Sequence, residues 1–143
     1  MNSQFTERKK GQILAVDPGS YKSGIAILNY DCLVVLKKII NKDEFEEYLD
    51  KIINSYKIEH IVLGDGTHSE KYQKIICKIT DIPISSVDEA YTTVEAEERY
   101  RNENSKWWSP LLSFINWKPS EPVDDYVAVI LAERFLEGRM IIG

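Results

Sequence analysis

Apolar residues come in short blocks along this chain, and the length and spacing of each block assign the elements. Residues 12–17 and 23–29 contain the runs ILAV and GIAIL, of strand length and separated by a short polar turn. They predict an antiparallel hairpin. Residues 32–40, CLVVLKKII, follow almost directly as a third strand. The period then changes. Asn41 and Glu44 have the spacing of a capping box, and Phe45, Leu49, Ile52 and Ile53 recur at helical intervals to about Ser55. HIVLG, residues 60–64, is short and almost wholly apolar, which suits a strand covered on both faces. Residues 69–79 set Tyr72, Ile75, Ile76 and Ile79 at helical spacing among lysines, and residues 83–87 read as a fifth strand. Thr92 and Glu95 form a second capping box, opening a helix to about Glu103. Residues 123–136 predict an amphipathic helix with Val127, Ile130, Leu131 and Phe135 on its apolar side.

Three hairpin-linked strands followed by alternating helices and strands predict an α/β fold. Its mixed five-stranded sheet carries helices on both faces, as in the ribonuclease H-like arrangement. A chain of 143 residues suits one domain, so residues 1–143 are read as a single unit with an aromatic insertion loop around 104–120. The net charge of −5 argues against a large non-specific nucleic-acid footprint. It leaves room for a small site that is locally basic or carries metal ions. No apolar run approaches the ~20 residues that span a bilayer, and no signal-peptide core follows the N-terminal basic residues. The expectation is a cytoplasmic protein with no membrane partner. Cys32 and Cys77 lie far apart without metal-ligand spacing and form no disulfide framework.

The candidate chemistry lies in the carboxylates. Sites in open α/β sheets form at the carboxyl ends of the parallel strands. Asp17 ends the first strand, Asp88 and Glu89 end the fifth, and Asp124 and Asp125 open the last helix just after Pro122. Each has a plain explanation alone. Asp before Pro-Gly is turn chemistry, acids in a first helical turn complement the macrodipole, and Asp88-Glu89 can be a loop before a cap. Their convergence on one sheet edge changes the balance. Two unit charges about 4 Å apart repel by roughly 4 kcal/mol at an effective dielectric of 20, and divalent cations remove that cost. Asp17 is therefore read as a shared ligand to two metal ions, the arrangement that clamps the attacking and leaving oxygens of a phosphodiester.

Three motifs carry a resemblance to a known family: VDPGSYKSGIAI near the start, VDEAYTTVEAEERY in the middle and PVDDYVAVILAERFL at the end. Together they resemble the YqgF/RuvX family of Holliday-junction-resolvase-like proteins, which is also assigned to maturation of small-subunit ribosomal RNA precursors. The match spans nearly the whole chain. The resemblance implies a ribonuclease H-like fold and catalytic acids at Asp17, Asp88 or Glu89, and Asp124. Metal ligands would be Asp17, Glu89 and Asp124, with Asp125 as the spare about 100° round the helix. Mg²⁺ or Mn²⁺ would be the cofactor, as two ions with substrate bound. Asp88 and Glu89 point to opposite faces if both are on a strand, and Glu89 is the preferred one. The chain departs from the family in three places. The Arg after Asp-Glu is Ala90, the usual Gly-Leu-Pro is Gly64-Asp65-Gly66-Thr67, and the loop at 104–120 is longer and more aromatic. Asp65 is either a turn residue or a further acid of the site.

Lys22 in the first turn is a candidate phosphate contact. Trp107 and Trp108, with Trp117 and nearby lysines, are either a stacking platform for unpaired bases or packing residues. Arg8-Lys9-Lys10 is a short basic patch, and Lys71, Lys74 and Lys78 share a helix face. The leading function is a metal-dependent endonuclease acting on structured nucleic acid, either ribosomal RNA precursor or branched DNA such as a Holliday junction. The alternative is a nucleic-acid-binding module of the same fold with weak or absent catalysis, acting in RNA maturation. A junction substrate presents paired scissile strands and would call for a homodimer. A nucleotide-binding domain of the actin or sugar-kinase type needs a second such domain, for which the chain is too short.

Overall fold

The computed structural model describes residues 11–104 and 124–142. The sheet has five strands: β1 (Gln12–Asp17), β2 (Lys22–Asn29), β3 (Val34–Asn41), β4 (Ile58–Gly64) and β5 (Ile84–Val87). Their order is β3-β2-β1-β4-β5. β1 pairs antiparallel with β2 and parallel with β4, β2–β3 is antiparallel, and β4–β5 is parallel. The α/β, ribonuclease H-like layout anticipated from the residue pattern is the one adopted.

β1 is wholly apolar along its middle because it lies at the centre of the sheet with both faces covered. Side chains alternate across a strand, so Ile13 and Ala15 join one core cluster while Leu14 and Val16 join the other. The helices α1 (Phe45–Ser55) and α2 (Ser69–Ile79) cover the second face with Phe45, Leu49, Ile52, Tyr72 and Ile76. The first face is covered by α4 (Asp124–Ile142), with α3 (Thr92–Asn104) packed outside it through Ala96 and Tyr100. Every residue from Tyr126 to Ala132 is consequently buried. The expected one-sided amphipathic helix is instead apolar all round in this stretch, because the sheet and α3 enclose it.

Other local expectations are also corrected. The third strand begins at Val34 and not at residue 32, because Cys32 takes a left-handed conformation (φ 70°) in the turn that returns from Asn29. Asn41 makes no capping hydrogen bond; residues Lys42–Glu44 form a short 3-10 turn ahead of α1. The second capping box is also not formed in the expected way. The Thr92 hydroxyl donates backward to the Glu89 carbonyl (2.8 Å), and Glu95 pairs with Arg99 and Arg134. The last helix continues past Leu136 to Ile142. Among the described residues no helix is long and apolar enough to cross a membrane.

Candidate metal and nucleic-acid site

The carboxyl ends of β1, β4 and β5 lie at one edge of the sheet, and there Asp17 comes within reach of Glu89 and of the charge of Asp124. Asp17 is the last residue of β1 and pairs in register with Gly24 of β2. Gly24 is small for a reason: a Cβ there would sit 1.9 Å from the Asp124 carbonyl oxygen. The missing side chain lets the first turn of α4 rest directly on β2, and this brings Asp124 to the sheet edge. Glu89 lies two residues past β5. Its backbone N–H donates to Asp65 Oδ1 (3.1 Å), and its carboxylate lies over the β4 end. A Cβ at Gly64 would approach Glu89 Cδ and Oε1 to 2.7 Å, and one at Gly66 would approach Oε2 to 2.1 Å. The Gly64-Asp65-Gly66 departure thus has a local function: the glycines make room for the Glu89 side chain, and Asp65 holds its backbone.

The electrostatics follow from this crowding. Asp17 is mostly buried, hydrogen-bonded to Glu89 and exposed to the charges of Glu89 and Asp124. Burial first, and these neighbours next, push its carboxyl up to about 9. Asp124 is also raised, chiefly by burial and further by Asp125, while Lys22 pulls it back down. The structure thus places Lys22 beside the acids, where its charge reaches Asp124.

Other predicted site residues lie elsewhere. The Asp88 carboxylate accepts the Ala90 N–H (3.0 Å) and closes its own turn, so Glu89 is the acid that reaches Asp17. Asp125 turns away from Asp17: Oδ2 is 3.5 Å from Lys37 Nζ and Oδ1 accepts the Tyr126 N–H. Trp107, Trp108, Trp117 and the basic patch at Arg8 lie outside the described residues. Lys74 pairs with Glu70 on its own helix. Sequence reading missed Arg134. Its guanidinium donates to the Asp88 carbonyl (2.8 Å), tying α4 to the loop that carries Glu89. An Arg well inside a helix has no local signal for such a role.

The donor set fits a hard divalent cation in type: carboxylate oxygens, partly buried. Among the described residues no three His, Cys, Asp or Glu side chains are gathered closely enough to hold one ion as they stand. Mg²⁺ does not require three, because it commonly takes one or two carboxylates and completes its shell with water and phosphate oxygens. Asp17 with Glu89, and Asp17 with Asp124, are the two pairings this edge offers.

Comparison with known proteins agrees with the motifs. Residues 11–138 match the family model RuvX, described as Holliday junction resolvase. A protein of Caldicellulosiruptor saccharolyticus named "Putative pre-16S rRNA nuclease" is 30% identical over 142 residues, covering 88% of this chain and 96% of its own. One of the same name from Dictyoglomus turgidum is 33% identical over 101 residues, covering 60% of this chain and 72% of its own. In three dimensions the chain resembles the RuvC structure of Thermus thermophilus, with a TM-score of 0.58 at 10% identity, over 90% of this chain and 96% of that one. That likeness speaks for the fold.

Proposed function

The chain belongs to the RuvX family, and from that premise we propose that it is a metal-dependent endonuclease hydrolysing phosphodiester bonds in structured nucleic acid. The substrate is a ribosomal RNA precursor or junction-like DNA, and the place of action is the cytoplasm. The observation that carries this reading is the Asp17 carboxyl, held between Glu89 and Asp124 and raised to about 9. A protein gains no stability from confining acids in this way. Cations and a phosphodiester turn the same arrangement into a site.

Bound Mg²⁺ or Mn²⁺ would supply Lewis-acid charge and lower the pKa of a water near the scissile phosphate. Asp17, Glu89 and Asp124 would hold the ions. The chain's own residues do the positioning. The β1 ladder fixes Asp17, Asp65 and the two glycines fix Glu89, and Gly24 fixes the approach of Asp124. Lys22 stands close enough for its charge to act on a phosphate as it acts on Asp124. Ala90 removes one family guanidinium from the loop. Arg134 reaches that loop from α4 instead, as a positioning residue that binds a backbone carbonyl.

A second reading, a binding module without catalysis, draws on Ala90 and on the absence of a ready three-carboxylate group among the described residues. One experiment separates the two. The protein is incubated with labelled single-stranded RNA, a ribosomal RNA precursor fragment and a four-way DNA junction, in Mg²⁺, Mn²⁺ or chelator, beside Asp17→Asn. Cleavage that requires metal and disappears in Asp17→Asn is the expected result. Nucleic-acid binding with no cleavage under any condition would leave the binding module.

A further inference from the structure

On the α1/α2 side of the acids, the hairpin turn and the segment after β3 form a second feature that the catalytic reading does not use. Tyr21 follows the Asp17-Pro18-Gly19 turn and is 83% exposed, an unusual place for a large ring. It lines an open cavity of about 600 Å³ together with Asn41, Lys42, Asp43 and Glu44. That volume is within the range of small-ligand sites. The walls are held in register. Lys22 pairs with Asn41 across β2–β3, and the Lys42 N–H donates to the Tyr21 carbonyl (2.8 Å). Behind them, the Tyr72 hydroxyl donates to the Gly19 carbonyl (3.0 Å), fixing the turn to α2.

The cations here are arranged unusually. Lys71, in the first turn of α2, lies beside Lys42, and this like-charged neighbour pulls the Lys71 pKa down. Among the described lysines, ion pairs engage Lys37, Lys57 and Lys74. Two neighbouring ammonium groups repel, and an anion between them relieves that repulsion; a phosphate oxygen is the ligand that fits. The group is close to the acids: the Tyr72 hydroxyl feels the charges of both Lys42 and Asp17.

We propose that this cavity is a subsite for one unpaired nucleotide of the substrate strand, its base stacked on Tyr21 and its phosphate held between Lys42 and Lys71. The inference rests on the nuclease reading and deepens it, because it requires a single-stranded segment next to the scissile bond. Aromatic stacking accepts any base and needs it unpaired, so a duplex end cannot use the ring in the same way. Asp43 and Glu44 on the same wall repel phosphate. They confine it to the lysine side and leave their oxygens to accept N–H groups from a base edge.

The test is binding in chelator, so that cleavage plays no part. A labelled single-stranded RNA 12-mer and a blunt 12-base-pair RNA duplex are titrated against wild type, Tyr21→Ala, Tyr21→Phe and the double variant Lys42→Gln/Lys71→Gln. Melting temperatures are taken alongside; these exposed positions should leave them unchanged. Tyr21→Ala is expected to weaken single-strand binding by about 5- to 100-fold, with a smaller effect on the duplex and recovery in Tyr21→Phe. The double lysine variant should weaken single-strand binding. It should also lower the slope of log affinity against log salt by about 0.7, the value for one phosphate no longer neutralised. Wild-type affinity in Tyr21→Ala, or an unchanged salt slope in the lysine variant, would overturn the subsite, as would failure of wild type to bind the single strand. Failure of the nuclease reading has a different signature: these binding effects would persist while metal-dependent cleavage is absent.

Discussion

Two groups of acids in this protein are treated in opposite ways. At the contact of α3 and α4, Glu95 and Glu133 are matched by Arg99 and Arg134. Arg99 forks onto Glu133 while also reaching Glu95, and Arg134 lies 3.7 Å from Glu95. At the sheet edge, Asp17, Glu89 and Asp124 come near one another, Lys22 offsets Asp124, and Asp17 responds by holding its proton. The first arrangement neutralises charge within the fold and contributes to helix packing. The second places acids together without such matching, which is the kind of perturbed group that marks a candidate site.

Substitution should separate the two most sharply at Asp17 and Glu133. Asp17→Asn is expected to reduce metal-dependent cleavage by on the order of 10²–10³-fold or more, the scale seen when one electrostatic stabiliser is removed. It should also raise the melting temperature of the metal-free protein at pH 8. Glu133→Gln should do the reverse, leaving cleavage near wild type and lowering the melting temperature. Cleavage retained in Asp17→Asn would break the contrast.

The next effect is on stability through the backbone. Gly24→Ala would drive a methyl group into the Asp124 carbonyl, so α4 must move. A loss of about 1–3 kcal/mol in chemical denaturation is expected, as for other overpacked cores. Gly66→Ala meets only the far end of the Glu89 side chain. It should reduce cleavage with little change in stability, and equal destabilisation by the two alanines would contradict the geometry.

The pH dependence has a definite sign. The Asp17 carboxyl has an ordinary value of 3.8 and is raised to about 9 in the fold. Between those values the unfolded chain has released its proton and the folded chain keeps it. The Asp17 contribution to stability is therefore fully present below about pH 3.8 and is lost as pH rises through about 9, by up to roughly 1.4 kcal/mol per pH unit. Thermal melts of metal-free wild type and Asp17→Asn across pH 5 to 9 should diverge, with wild type falling more steeply. Mg²⁺ should stabilise wild type more at pH 8 than at pH 5, because it competes with the proton for the same oxygens. The smallest effect expected is at Arg134→Ala, which frees the Asp88 carbonyl. A loss of about 10-fold in kcat with little change in KM is the outcome for a positioning residue, and a change in KM alone would assign it to substrate binding.

Residue pattern alone determined the sheet and its two covered faces, because burial on both sides demands continuous apolar strands, and a strand's length and period are local properties. It also picked out Asp17, Glu89 and Asp124 among its candidate acids, since acids at strand ends and helix starts stand out in one dimension. It failed at the caps. Asn41 and Thr92 have the right spacing, but a 3-10 turn and the Glu89 carbonyl took their places. Tertiary structure alone decided which acid of each adjacent pair turns inward. Asp88 closes its own turn and Asp125 is drawn to Lys37, while Glu89 fits over two glycines and Asp124 rests on Gly24. It likewise decided that Arg134 reaches across to the Asp88 loop and that Lys42 meets Lys71. The physical reason is one of range: hydrophobic period is written along a single segment, whereas a side chain's partner depends on which distant backbone leaves it room and which charge lies across the gap.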